Sequence, residues 1–210
     1  MNRLRTRLAL AGAAALTAVT VLTGLTGTAA ATETPATADA VTATVPVASI
    51  GTAVVREDSD FLHRSAEAGI FVVPLPPGTA AYDSAAGFSG SFPVTGATGV
   101  LREYYGNVQL GGSLLAVNVR TGKTALFQQL AFDIDNWQLT GVPLGATAPV
   151  ALLEPTDSTV ALTAGVSSLT STGLAVDAEG AQYLDSKLGT SFFTAGGQVG
   201  SFALSYTQGS

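Results

Sequence analysis

The sequence predicts a mainly β domain, an antiparallel β-sandwich or barrel-like fold that carries two short helices. Three observations lead there. Apolar residues recur at every second position in short runs between residues 50 and 206, and glycines and prolines separate those runs at close intervals. Two stretches break the period, with apolar residues three and four apart between capping residues. Short antiparallel strands joined by regular turns build sandwiches and barrels rather than layered α/β sheets.

Taken in order, residues 50–55 form the first expected strand. Asp58 or Ser59 then caps a helix over Ser59–Ala68, which Gly69 ends. Ile70–Leu75 is an apolar run closed by Pro74, Pro76 and Pro77. Prolines cannot donate to a central ladder, so this run belongs at a sheet edge or a strand exit. Residues 87–99 read as turn-rich around the short segment Ser91-Phe92-Pro93-Val94. Val108 and Leu110 share one strand face, whereas Leu115, Val117 and Val119 share a face of opposite parity. That change places a β-bulge or sharp bend at Gly111-Gly112, where one extra residue would restore a common buried side. Arg120-Thr121-Gly122-Lys123 is a hairpin turn into a strand over 126–139, in which Leu130, Phe132 and Ile134 alternate with Ala131, Asp133 and Asp135. Alternation continues over 148–153, 160–166 and 173–176, and at Phe202, Leu204 and Tyr206. The second helix spans 177–188, with Asp177 as N-cap, Ala181, Leu184 and Leu188 on one face, and Gly189 at its end. Each helix follows one strand and leads into another, which suggests a duplicated strand–helix–strand unit.

The 210 residues divide into three expected parts. Arg3, Arg5 and Arg7, the apolar stretch from Leu8 to about residue 25, and Ala29-Ala30-Ala31 predict a signal peptide over 1–31, cleaved after Ala31. An uncleaved signal anchor is the alternative. Residues 32–46, rich in Thr, Ala and Pro, form a flexible leader, and 47–207 form a single β-rich domain. The protein is therefore expected outside the cell, with no membrane association after cleavage. Two Lys, three Ile and four Asn beside abundant Ala, Gly, Thr and Val point to a GC-rich bacterial genome. The absence of Cys removes disulfides, thiolate metal sites, cysteine nucleophiles and a lipid-modified N-terminus, and a single His removes most zinc sites. Six basic and fifteen acidic residues follow position 31, and such an acidic chain is repelled by nucleic acid.

A secreted enzyme of this size would most readily be a hydrolase. The segment Gly87-Phe88-Ser89-Gly90-Ser91 lacks the final glycine of a G-x-S-x-G elbow, and His63 is the single imidazole available to a serine triad. Glycosidases need only two carboxyls, here from Glu103, Asp133, Asp135, Glu154 and Asp157. Asp133 and Asp135 fall on one strand face, roughly 7 Å apart by strand rise. A solvated outer face is the plainer account of that pair. The same residues begin a D-x-D-N pattern like a calcium loop, but Gln138 replaces the turn glycine and Leu144 the bidentate glutamate, so an EF-hand is excluded. No catalytic residue and no metal ligand is assigned.

His63, between Leu62 and Arg64 on the first helix, is either a ligand or proton carrier or a partly exposed helix residue. Tyr104 and Tyr105, with Arg102 and Glu103, make the densest aromatic and polar cluster, a candidate binding groove. The plainer account has one tyrosine packing inward and the other facing water. Trp137 and Phe127 read as core or rim residues of their strands. Gly196-Gly197 lacks the following helix and the lysine of a phosphate loop.

Several pieces, in this order, resemble a class of secreted actinobacterial β-sandwich proteins: Ser91-Phe92-Pro93-Val94-Thr95-Gly96, Gly106-Asn107-Val108-Gln109-Leu110-Gly111-Gly112, residues 130–135, and Phe193-Thr194-Ala195-Gly196-Gly197-Gln198-Val199-Gly200. The pattern covers most of residues 47–207. It is also distantly similar to the haem-transport-associated (Hta-type) domain, an exported β-sandwich with two short helices that binds haem through a tyrosine supported by a histidine. In the comparable first helix this chain reads Ser59-Asp60-Phe61-Leu62-His63, without the tyrosine, and Gln109 or Gly111 stands where the histidine belongs. The resemblance thus implies the fold and leaves haem as an alternative ligand, with His63, Tyr104 and Tyr105 as the side chains able to substitute.

The expected function is that of a secreted, non-enzymatic cell-surface or matrix protein without a cofactor, acting by binding or by structure on an extracellular partner. Haem or other small-ligand binding on the same fold is the alternative. A carbohydrate-active hydrolase is the third.

Overall fold

The computed structural model describes residues 49–84 and 87–208; the expected signal peptide and leader lie outside the described residues. Eleven strands and two helices follow one another as β1 (Gly51–Glu57), α1 (Ser59–Ala68), β2 (Ile70–Leu75), β3 (Thr79–Asp83), β4 (Gly87–Ala97), β5 (Asn107–Leu110), β6 (Ser113–Asn118), β7 (Lys123–Asp133), β8 (Gln138–Pro143), β9 (Val150–Thr163), β10 (Val166–Val176), α2 (Ala178–Leu188) and β11 (Gln198–Thr207). A single 3-10 turn, Leu101–Glu103, lies between β4 and β5.

The strands form one sheet, and each named pairing is antiparallel. Read around, β7-β5-β4-β1-β11-β10-β9-β8 returns to β7, which closes an eight-stranded barrel. Outside the barrel, β6 and then β2 extend from β7, and β3 pairs with β4. The barrel-like form of the expected fold is therefore the one adopted. Closure leaves no unpaired edge within the barrel, and the outer strands β2 and β3 keep the edges.

The bend expected at Gly111-Gly112 is present, and it lets β5 and β6 share one edge of β7. Between Gln109↔Ala131 and Leu114↔Phe127 the β5–β6 side advances five residues while β7 advances four. Gly112 has φ +106, and a Cβ there would lie 2.8 Å from Gly78 N and Leu75 O, so only glycine fits. The buried face beyond the bend differs from expectation. Ala116 and Asn118 are buried and Val119 is exposed, because β6 leaves the barrel wall and turns its even positions toward α2.

Local chemistry fixes the helices. Phe61 N donates to Asp58 Oδ1 at 2.6 Å and Glu179 N to Asp177 Oδ1 at 2.8 Å, which caps both N-termini as expected. Gly69 and Gly189 end them in the left-handed region. The β6–β7 turn serves the C-termini of both helices. Arg120 Nη2 donates to Glu67 O and Val119 N to Gly69 O, while Asn118 Nδ2 and Thr121 Oγ1 both donate to Leu188 O. These bonds satisfy carbonyls that a helix end leaves without intrahelical partners.

Other expectations need correction. Residues 87–99 were expected to be turn-rich around the short segment 91–94; β4 is an eleven-residue strand there, because β1, β3 and β5 pair with it and override weak local propensity. The strand expected over 126–139 is a hairpin, broken at residues 134–137. The 160–166 run is also a hairpin, turning at Ala164 (φ 50) and Gly165 (φ 80). The two strand–helix–strand segments are not equivalent: β10 pairs with β11, whereas β2 pairs with β6 and not with β1.

Chain direction distinguishes two barrel ends. At one, the C-terminal residues of β1 and β10 and the N-terminal residues of β4, β7, β9 and β11 meet beneath α1, α2 and the β2–β6 extension. The other is filled by buried Val94, Leu101, Val108, Phe132, Leu169 and Tyr206. There the Tyr206 hydroxyl donates to Gly99 O at 3.0 Å, and burial pushes its pKa up.

Candidate functional site

The structure separates the candidates read from the sequence. His63 is exposed on α1, at the helix end. Tyr104 and Tyr105 are exposed beside the 3-10 turn, at the opposite end. The distance is set by β11. Asp58 N and Arg64 Nη2 bind the carbonyls of Val199 and Gln198, whereas Tyr206 holds the loop that carries the tyrosines. Gln198 and Tyr206 are eight residues apart on one strand, roughly 26 Å. Tyr104 has φ 55 and stacks on Trp137, with ring centroids 5.4 Å apart. Trp137 meets buried Phe132 edge-on at 5.3 Å, so this aromatic group braces the β7–β8 turn against the core.

Asp133 and Asp135 organise that same turn. Asp133 Oδ1 accepts from Asp135 N at 3.0 Å and from Asn136 N at 3.2 Å, and its Oδ2 accepts from Asn136 Nδ2 at 2.8 Å. Asp135 Oδ1 accepts from Gly106 N at 3.0 Å. The D-x-D-N segment is thus an Asx turn whose carboxylates accept from backbone amides and from the Asn136 side chain, not a free carboxylate pair. Glu103 is exposed on the 3-10 turn, and Glu154 and Asp157 are exposed on β9. Among the described residues there is no group of three His, Asp or Glu side chains able to hold a metal.

What the tertiary structure assembles instead is a cavity. It has a volume of about 90 Å³ and lies inside the helix end of the barrel. Every barrel strand contributes to its wall, and α1, α2, β2 and β6 close it through residues such as Phe61, Leu184, Val72 and Leu114. The wall is almost wholly apolar; Glu57 and Thr140 are its polar side chains. Alternation along β1 explains Glu57. Ala53 is buried, and Val55 and Glu57 follow on the same face, so the last residue of the strand brings its carboxyl to the cavity. Burial pushes this carboxyl up to about 7, with the charge of adjacent Asp58 adding to the shift.

The sequence reading missed this site. Glu57 lies two residues beyond the first expected strand, 50–55, and was assigned no role. Its one legible signal was parity, since it falls two positions after Val55 on the inward face.

An eight-stranded barrel encloses an interior just wide enough either to be filled by side chains or to hold one small ligand. Here one end is filled with side chains and the other encloses the cavity. Among solved structures, the C-terminal domain of HtaA from Corynebacterium glutamicum is similar in fold, with a TM-score of 0.53 over 77% of this chain and 99% of that domain, at 12% identity. That likeness is one of fold. No family model and no curated protein matches the chain.

Proposed function

We propose that this protein is a non-enzymatic binding protein that acts outside the cell and holds a small apolar ligand in the helix end of its barrel. The observation that carries this reading is the apolar cavity within an otherwise closely packed barrel. Protein interiors pack as densely as organic crystals, so a hollow of this size forgoes contacts that a ligand would supply. The domain likeness to HtaA is compatible with a binding role.

The residues around the cavity do not fit haem. Neither a tyrosine nor an imidazole lines it. An engineered protein cavity of ~150 Å³ takes one benzene, so a cavity of about 90 Å³ admits a short chain, or a single ring only tightly, and is far too small for a porphyrin. A hydrolase reading lacks support for a different reason, since Asp133 and Asp135 are committed to their turn.

Thermal unfolding with and without saturating benzene tests the proposal. Benzene at about a hundred times its Kd is expected to stabilise the protein by roughly 2.7 kcal/mol. Ala116→Leu, which fills the cavity from β6, should remove that effect while the protein stays folded. An unchanged transition in the wild-type protein with benzene and with other single-ring hydrocarbons would sink the reading.

A further inference from the structure

The next question rests on the reading of the cavity as a ligand site: what must the ligand carry besides hydrocarbon? The wall offers one strongly polar group at one place. Glu57 ends β1 opposite Gly200 of β11, a residue with no side chain to pair with it. Its neighbours on β1 do not supply a cation. Arg56 points to the exposed face, and Asp58 turns away to cap α1. The nearest cation on α1, Arg64, donates to Asp60 O and Gln198 O. Thr140 adds a hydroxyl on β8. The rest of the wall is aliphatic and aromatic, with Phe61, Phe88, Phe92 and Phe127 among its largest members.

A purely hydrocarbon ligand would cover the Glu57 carboxyl without giving it a partner, and an unmade hydrogen bond to such a group is expensive. A carboxylate ligand would bring a further negative charge beside Glu57 and Asp58, where burial already disfavours the charge present. An ammonium ligand would have to surrender its hydration to an apolar wall. A hydroxyl avoids all three costs. It donates to an ionised carboxylate and accepts from a protonated carboxyl, so it pairs with Glu57 in either state.

We propose that the barrel cavity selects a compact neutral alcohol, a single ring or short chain with one hydroxyl, which places that hydroxyl on Glu57 and its hydrocarbon among the phenylalanines. Glu57 is then the specificity determinant of the site, and the apolar wall supplies most of the affinity.

Isothermal titration with four size-matched probes tests this: toluene, benzyl alcohol, benzoate and benzylamine. The wild-type protein is expected to bind benzyl alcohol about tenfold more tightly than toluene, on the scale of a hydrogen bond to a charged group. Benzoate should bind at least about tenfold more weakly than benzyl alcohol. Glu57→Leu should reverse the order, so that toluene outcompetes the alcohol. Glu57→Gln, nearly the same shape and also both donor and acceptor, should keep the preference for the alcohol over toluene and lose the exclusion of benzoate. It also serves as the test if the leucine variant does not fold. Toluene binding as tight as benzyl alcohol in the wild-type protein, or an unchanged ratio in Glu57→Leu, overturns the alcohol proposal and leaves the cavity reading standing. Benzylamine as the tightest ligand overturns it in favour of a cation. Failure of all four probes to bind overturns the cavity reading and this proposal together.

Discussion

At Glu57 and at Asp133, two carboxyls of similar sequence context acquire opposite circumstances from their neighbours. Asp133 ends β7 in the turn and accepts three hydrogen bonds from Asp135 and Asn136. Glu57 ends β1 on the wall of an apolar cavity, and its pKa rises from 4.5 to about 7. An acid with a raised folded-state pKa binds more protons folded than unfolded between those two values, so stability falls as pH rises through that window. The 2.5-unit difference corresponds to at most about 3 kcal/mol. Glu57→Gln removes this titration. Urea unfolding of the variant between about pH 5 and about pH 8 should therefore lose less stability than the wild type loses over the same range. Equal slopes for the two proteins would refute the assignment. The sequence made Asp133 conspicuous and left Glu57 obscure, because spacing shows which residues share a strand face but not whether that face meets water or a cavity.

The elements differ in how much of their structure is local. Both helices were legible to within a residue, since an N-cap aspartate, an apolar stripe and a terminal glycine are satisfied within about a dozen residues. Asp58→Ala should cost about 1 kcal/mol, the usual worth of an N-cap. Asn118→Ala should cost more, about 2 kcal/mol, although no local motif announces it. Its buried side chain donates to Leu188 O and accepts from Arg120 N, tying the β6–β7 turn to α2. Chemical denaturation of the two variants would rank them, and a smaller loss for Asn118→Ala would contradict the role given to that turn. Strands were less legible than helices. The glycines and proline of β4 read as turn, yet flanking pairs with β1, β3 and β5 hold it extended. The exposed β3 carried no apolar alternation at all and was not foreseen.

For the whole molecule, closure decides which residues come together. The side chains offered as substitute haem ligands, His63 and the pair Tyr104-Tyr105, lie near opposite ends of β11 and outside the cavity, so a haem titration of the chain from Thr32 to Ser210 should show no saturable Soret shift at one equivalent. A shift lost in His63→Ala or Tyr105→Phe would overturn that separation as a functional fact. By itself, the sequence determined the β character, the two helices and their caps, the edge position of Ile70–Leu75, the bend at Gly111-Gly112 and the acidic, Cys-free surface chemistry. Each of these follows from short-range sterics, hydrogen bonding or composition. Only the tertiary structure decided that the sheet closes into a barrel, that one end fills with Phe132, Leu169 and Tyr206, and that the other stays hollow around Glu57. The reason is physical. Pairing partners and cavities are set by side chains distant in sequence, and alternation records which face is buried without recording what it is buried against.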